Sequence, residues 1–169
     1  MCLSDSYILR CSNVAHSSNT NLVSLSTDKS EFTVQIPNSL RAKGKCQIKV
    51  IDIHIQLKNN TGNRIVPANA HTALIQSEGI QFLGYSNENA GNVNSLGEMA
   101  IDSSKNDIKL DGVGSNTFIC PDLPPQITFK KMIYNPSSPF LPIPMDNYTT
   151  DVVPCIITLQ LTFFEDEKK

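Results

Sequence analysis

Apolar and polar residues alternate along most of this chain, and the alternation is sharpest near its end. Between Cys155 and Phe163, Cys155, Ile157, Leu159, Leu161 and Phe163 fall on one side and Thr158, Gln160 and Thr162 on the other. This is the two-residue period of a strand with one buried face. Such a strand is not stable alone, and one this late in the chain needs partners made much earlier, so the pattern predicts a non-local, all-β fold. Glu31 to Ile36 repeats the alternation with Phe32, Val34 and Ile36 inward, and Pro37-Asn38 ends it. Cys46 to Leu57 is apolar at 46, 48 and 50 and then at 51, 53, 55 and 57. The period slips by one residue at Val50-Ile51, which predicts a β-bulge and a bend.

Shorter strand-like stretches fill the rest: Tyr7 to Cys11, Leu22 to Ser26, Arg64 to Pro67, His71 to Gln76, Ile80 to Tyr85, Asp107 to Leu110, Thr117 to Cys120 and Gln126 to Tyr134. Residues 86 to 97 are rich in Asn and Gly and read as a polar surface loop without a core of its own. Asp111-Gly112 reads as a turn between its flanking strands. Pro136, Pro139, Pro142 and Pro144 predict an ordered irregular crossing anchored by Phe140, Leu141, Ile143 and Met145. The 3.6-residue period of an amphipathic helix is nearly absent. Roughly eight to eleven short strands with turn-rich connections specify a β-sandwich or barrel.

A chain of 169 residues makes one domain that needs neither metal nor disulfide for stability. A net charge of −2 with a pI near 5.9 offers no electrostatic footprint for nucleic acid, so no specific DNA or RNA partner is expected. Arg41, Lys43, Lys45 and Lys49 cluster, but around a turn, where a solvated loop is the simpler reading. No run of about 18 apolar residues could span a bilayer, and the start Met1-Cys2-Leu3-Ser4 lacks the regions of a signal peptide. Cys2, Cys11, Cys46, Cys120 and Cys155 are scattered singly and read as buried free thiols. The sequons at Asn59 and Asn147 matter only in a secreted protein and read as chance matches.

Chemistry is sparse. His16, His54 and His71 lie far apart without the paired histidines of a cupin-type metal enzyme, and His54 reads as a surface or interface imidazole. There is no nucleophile elbow and no phosphate-binding glycine spacing, Gly91, Gly97, Gly112 and Gly114 fitting neither pattern. Glu165, Asp166 and Glu167 read as a charged tail that protects an edge. No catalytic, cofactor-binding or metal-ligating residue is expected, and no enzyme. Asn, Ser and Thr supply 16, 17 and 11 residues against only 18% charged ones. A surface decorated in this way meets neighbours without burying charge, as a subunit of an assembly does.

Three stretches carry a resemblance to a known family. They are Phe32 to Leu40 followed by Cys46 to Ile53, His71 to Ile80, and Pro136 to Ile143 together with Ile156 to Phe163. In order and pattern they resemble the single-jelly-roll penton or minor capsid proteins of icosahedral double-stranded DNA viruses of the double-jelly-roll lineage. The resemblance covers about residues 31 to 164. It implies a single jelly-roll β-sandwich of two four-stranded antiparallel sheets over 31–165, an N-terminal arm or extra strands over 1–30, and a charged tail over 166–169. It further implies a structural capsid protein without cofactor, made in the host cytoplasm and residing in the virion. Its partners would be itself, as a homopentamer at a vertex, and neighbouring capsid proteins. In that order the closing strand is expected beside the first, near Phe32 to Ile36. A non-catalytic jelly-roll module that binds carbohydrate or a receptor is the alternative.

Overall fold

The structure is a computed structural model and describes residues 3–14, 21–26, 29–80, 84–85, 92–93, 95–102, 104–111, 117–136, 138–145 and 152–164. Its strands are β1 (Leu3–Ser12), β2 (Leu22–Leu25), β3 (Glu31–Gln35), β4 (Cys46–Gln56), β5 (Thr72–Glu78), β6 (Gly84–Tyr85), β7 (Asn92–Val93), β8 (Ser95–Ala100), β9 (Asp107–Asp111), β10 (Thr117–Cys120), β11 (Gln126–Asn135), β12 (Ser138–Pro144) and β13 (Cys155–Phe164), with one short helix, α1 (Asn38–Arg41). One sheet runs β1-β13-β4, with β10 and β9 both on the far side of β4; the other runs β2-β3-β11-β5-β8, with β12 on β11. All pairings are antiparallel. Lettering the eight principal strands B to I in chain order places B-I-D-G (β1, β13, β4, β9 with β10) over C-H-E-F (β3, β11, β5, β8). This is the strand order of a jelly roll, and β2, β12 and the β6–β7 ribbon are additions to it.

The closing strand does not pair where the sequence suggested. β13 lies between β1 and β4, with Leu9 opposite Leu159 and Ile53 opposite Ile157, while Phe32 to Gln35 belongs to the other sheet. Alternation fixes which face of a strand is buried, but leaves its partner to tertiary packing. Residues 1–30 thus supply β1 to one sheet and β2 to the other. Residues 165–169, together with Cys2, His16, Gly91, Gly112, Gly114, Asn147 and Tyr148, lie outside the described residues.

The slip at Val50-Ile51 is a bulge. Asp52 faces Thr158 and Val50 faces Leu159, leaving Ile51 as the extra residue, so Ile48 and Val50 before it and Ile53 and Ile55 after it all point into the core. β9 and β10 do not form the hairpin that the Asp111-Gly112 turn implied. They are successive halves of one edge strand, β9 pairing with Asp52 to Gln56 and β10 with Cys46 to Lys49. The proline-rich stretch is also more regular than expected: β12 folds back along β11, Ile143 opposite Ile133, where an outer position tolerates missing N–H donors. Most of the expected 86–97 loop lies outside the described residues, but Ser95 to Gly97 open β8, and Leu96 is buried in the core. Gly97 lies against Leu110, whose Cδ2 would have to turn aside to admit a Cβ there.

One apolar cluster fills the space between the sheets, with Leu9, Ile48, Ile53, Ile157, Leu159 and Leu161 from one side and Phe32, Val34, Ile75, Ile127, Phe129 and Ile133 from the other. Burial of this kind is the main favourable term in folding. Two of the polar side chains buried beside it, Asn13 and Lys131, enter with partners. Lys131 shares the inward face of β11 with Phe129 and Ile133, is wholly buried, and donates from Nζ to the Val153 carbonyl at 2.8 Å. That carbonyl also accepts from Asn13 Nδ2 at 2.8 Å, and Asn13 Oδ1 accepts from the Cys155 N–H at 2.8 Å. The end of β1, the start of β13 and the middle of the facing sheet are thereby tied together. Asn13→Ala removes two buried hydrogen bonds and is expected to lower stability by about 1–3 kcal/mol, read from urea unfolding midpoints at unchanged m-value.

Cys11, also inside the cluster, is pushed up to about 12 by desolvation first and by neighbouring Cys155 second, from 9.0. The folded chain holds a proton there that the unfolded chain releases above pH 9, so this contribution is complete below pH 9 and is lost as pH rises toward 12. Urea midpoints from pH 8 to 11 are expected to fall less steeply for Cys11→Ala than for the wild type.

Candidate functional site

Two edges of the first sheet carry the features that the core does not explain. Alternation on β1 turns Leu9 and Cys11 inward and Ser6, Ile8 and Arg10 outward; on β10 it turns Cys120 inward and Thr117 and Ile119 outward. Ile8 is 64% exposed and Ile119 56%, at opposite margins of one sheet. Between them the outer surface is uncharged for the most part and satisfied within itself. Ser6 Oγ meets Thr162 Oγ1 at 2.9 Å, Gln160 Nε2 donates to Ser6 Oγ at 3.3 Å, and Thr158 Oγ1 donates to Asp52 Oδ1 at 3.0 Å. In the other sheet Val23 and Leu25 of the outer strand β2 are exposed as well. These exposed apolar side chains lie on the outermost strands and flank the polar surface between them.

The basic cluster serves the fold. Lys43 Nζ sits 4.9 Å from the ring centroid of Tyr7 and 5.9 Å from that of Phe163, and pairs with Asp5 at 3.4 Å. Lys45 Nζ lies 5.5 Å from the Phe164 ring. Arg41 donates to Asn38 Oδ1 at 3.1 Å and to the Leu123 carbonyl at 3.5 Å. Three of the four cations therefore clasp their own chain, through ring faces, carboxylate and carbonyl. On the outside of the second sheet Lys130 bridges Glu31, at 3.2 Å, and Glu78, and the bond to Glu78 is the first cause that raises its pKa.

The histidines stay apart. His54 Nε2 meets Asp107 Oδ2 at 2.7 Å across the β4–β9 pair, whereas His71 Nδ1 meets Thr72 Oγ1 at 3.0 Å at the start of β5 in the other sheet. His54, Gln56, Lys58, Asn59, Asn106 and Asp107 line an open polar groove of about 350 Å³. One wall of it is a tight loop in which Asn59 Oδ1 accepts from Thr61 N–H, Thr61 O–H and Asn63 N–H at 3.1, 2.7 and 2.9 Å. The expectation for His54 was a surface imidazole; its pairing with Asp107, 53 residues away, has no sequence signal. Among the described residues no group of three or more His, Cys, Asp or Glu is placed to hold a metal ion, and no helix is long and apolar enough to cross a membrane. The described cysteines Cys11, Cys46, Cys120 and Cys155 are buried thiols outside any disulfide.

No protein-family model matches this chain, and no curated protein matches it. Among solved structures it is similar to one of tomato aspermy virus determined by X-ray crystallography, at 11% identity and a TM-score of 0.31, over 100% of this chain and 84% of that one.

Proposed function

We propose that this chain is a non-enzymatic structural subunit of an icosahedral viral capsid, acting at the vertex as a ring of five. The observation that carries the reading is the placement of uncovered apolar residues, Ile8 on β1 and Ile119 on β10, at the two opposite margins of one jelly-roll sheet. Unlike surfaces at two margins of a subunit give head-to-tail contacts when they meet, and such contacts close into a ring when the rotation between neighbours divides a full turn. The jelly roll supports the reading, because this architecture recurs in viral capsid domains. So does the filled interior: where a cupin-type enzyme would need ligands between its sheets, this chain packs Ile53, Ile55, Ile75 and Phe129. Electron microscopy of the purified chain tests it: rings with five-fold symmetry are expected, and a field of isolated monomers at high concentration would refute the vertex assignment.

The groove beside His54 favours a second reading, a binding module for a hydroxyl-rich ligand such as a carbohydrate. Its amide and carboxylate side chains match the alternating donors and acceptors of a polyol. Saturable binding on a glycan array, abolished by Asp107→Ala, would put this reading first.

A further inference from the structure

Cys46 and Cys120 are directly opposed across the β4–β10 pair. Both side chains point to the inner face of the sheet and both are buried. Directly opposite residues of an antiparallel pair have Cα atoms about 4.5 or 5.5 Å apart, depending on the type of pair, and both spacings lie inside the window of about 4.4–6.8 Å that a disulfide spans. Cys120 Sγ donates to the Asp122 carbonyl oxygen at 3.1 Å. From this register and position we propose that Cys46 and Cys120 form a reversible disulfide that staples the edge strand β10 to β4.

The local chemistry suits that role. The interaction with Cys46 is the first cause that draws Cys120 down, against desolvation, while the same interaction and burial push Cys46 up. Cys120, on the edge strand and the less deeply buried of the two, is the attacking sulfur once deprotonated. β10 has four residues and β4 on one side, so brief opening of this edge admits a small disulfide. With glutathione disulfide as oxidant, the Cys120 thiolate attacks one of its sulfurs and expels the first glutathione thiolate, leaving a mixed disulfide. Cys46 then gives up its proton, and its sulfur displaces the second glutathione from Cys120. The two protein thiols lose two electrons and two protons, and the oxidant leaves as two molecules of glutathione thiol.

The bond closes a loop from residue 46 to 120, so a rise in Tm of roughly 5–10 °C is expected on oxidation. The experiment incubates the folded full chain with excess glutathione disulfide and reads free thiols, intact mass and a non-reducing peptide map. Expected are a fall from five titratable thiols to three, a loss of two hydrogens in mass, a Cys46–Cys120 linked peptide, and full reversal by dithiothreitol. Cys46→Ser is expected to stop at a mixed disulfide on Cys120, whereas Cys120→Ser gains no such adduct at Cys46. A map linking Cys11 to Cys155, a link between chains, or five thiols that persist in the folded protein would overturn the proposal. The wild-type map alone decides the matter should either serine variant fail to fold.

Discussion

Phe129→Ala is expected to destabilise the chain by about 3–5 kcal/mol and to lower Tm by on the order of 10 °C. Phe129 lies in β11, hydrogen-bonded to β3 on one side and β5 on the other, and is fully buried. Its ring centroid is 5.3 Å from that of Phe32, the residue directly opposite on β3, with the planes tilted by 35°. Deleting the ring loses both its transfer free energy and its contacts with Phe32. Because the surrounding backbone is held in two ladders, the site cannot collapse onto the void, which places the cost at the upper end for such a truncation. Phe129→Leu, which keeps most of the volume, is expected to cost clearly less. Guanidinium unfolding checks both; a loss below about 1 kcal/mol for the alanine variant would mean that this interior is not the core of the sandwich.

Ile8→Asp and Ile119→Asp are each expected to weaken ring assembly by two orders of magnitude or more while leaving the fold intact. A carboxylate desolvated at the centre of a contact costs about 2–3 kcal/mol or more per junction, and in a closed ring every junction bears it. Neither side chain touches the core, so monomer Tm is expected to change little. Mixing the two variants is the sharper test. Head-to-tail contacts leave the Ile8→Asp chain with a sound Ile119 margin and the Ile119→Asp chain with a sound Ile8 margin. The mixture is therefore expected to form pairs of one of each chain and nothing larger, as measured by sedimentation velocity. If Ile119→Asp alone paired with itself through Ile8, the contact would be two-fold symmetric and the ring would be excluded.

How much of this was legible in the sequence follows from which physical signal is local. The alternation in Cys155 to Phe163 identified β13, and the slip at Val50-Ile51 located the bulge to the residue, because side-chain period is a property of one strand. The partner of β13 was misplaced because Phe32, Val34 and Ile36 present an apolar face just as Tyr7, Leu9 and Cys11 do, and pattern cannot choose between them. The opening of β8, Ser95 to Gly97, was folded into a loop because Ser95-Leu96-Gly97-Glu98-Met99-Ala100 offers only Leu96 and Met99 as buried apolar residues, with a glycine between them. The buried tie of Asn13 and Lys131 to Val153 joins residues 140 and 22 positions apart and leaves no local trace. The same holds for the facing of Cys46 and Cys120, and for Ile8 and Ile119, whose exposure depends on β1 and β10 being the outermost strands. Scattered cysteines and an unremarkable charge gave the chemistry no address until register supplied one.

The claim on which the rest depends is that unlike margins of one jelly-roll sheet join copies of this chain into a closed ring. Native mass spectrometry of the purified full chain across a concentration series measures this directly. The account predicts a dominant species at five times the 18.6 kDa chain mass that gives way only to monomer on dilution. A single 18.6 kDa species at every concentration, or a ladder of open oligomers that never closes, would contradict it.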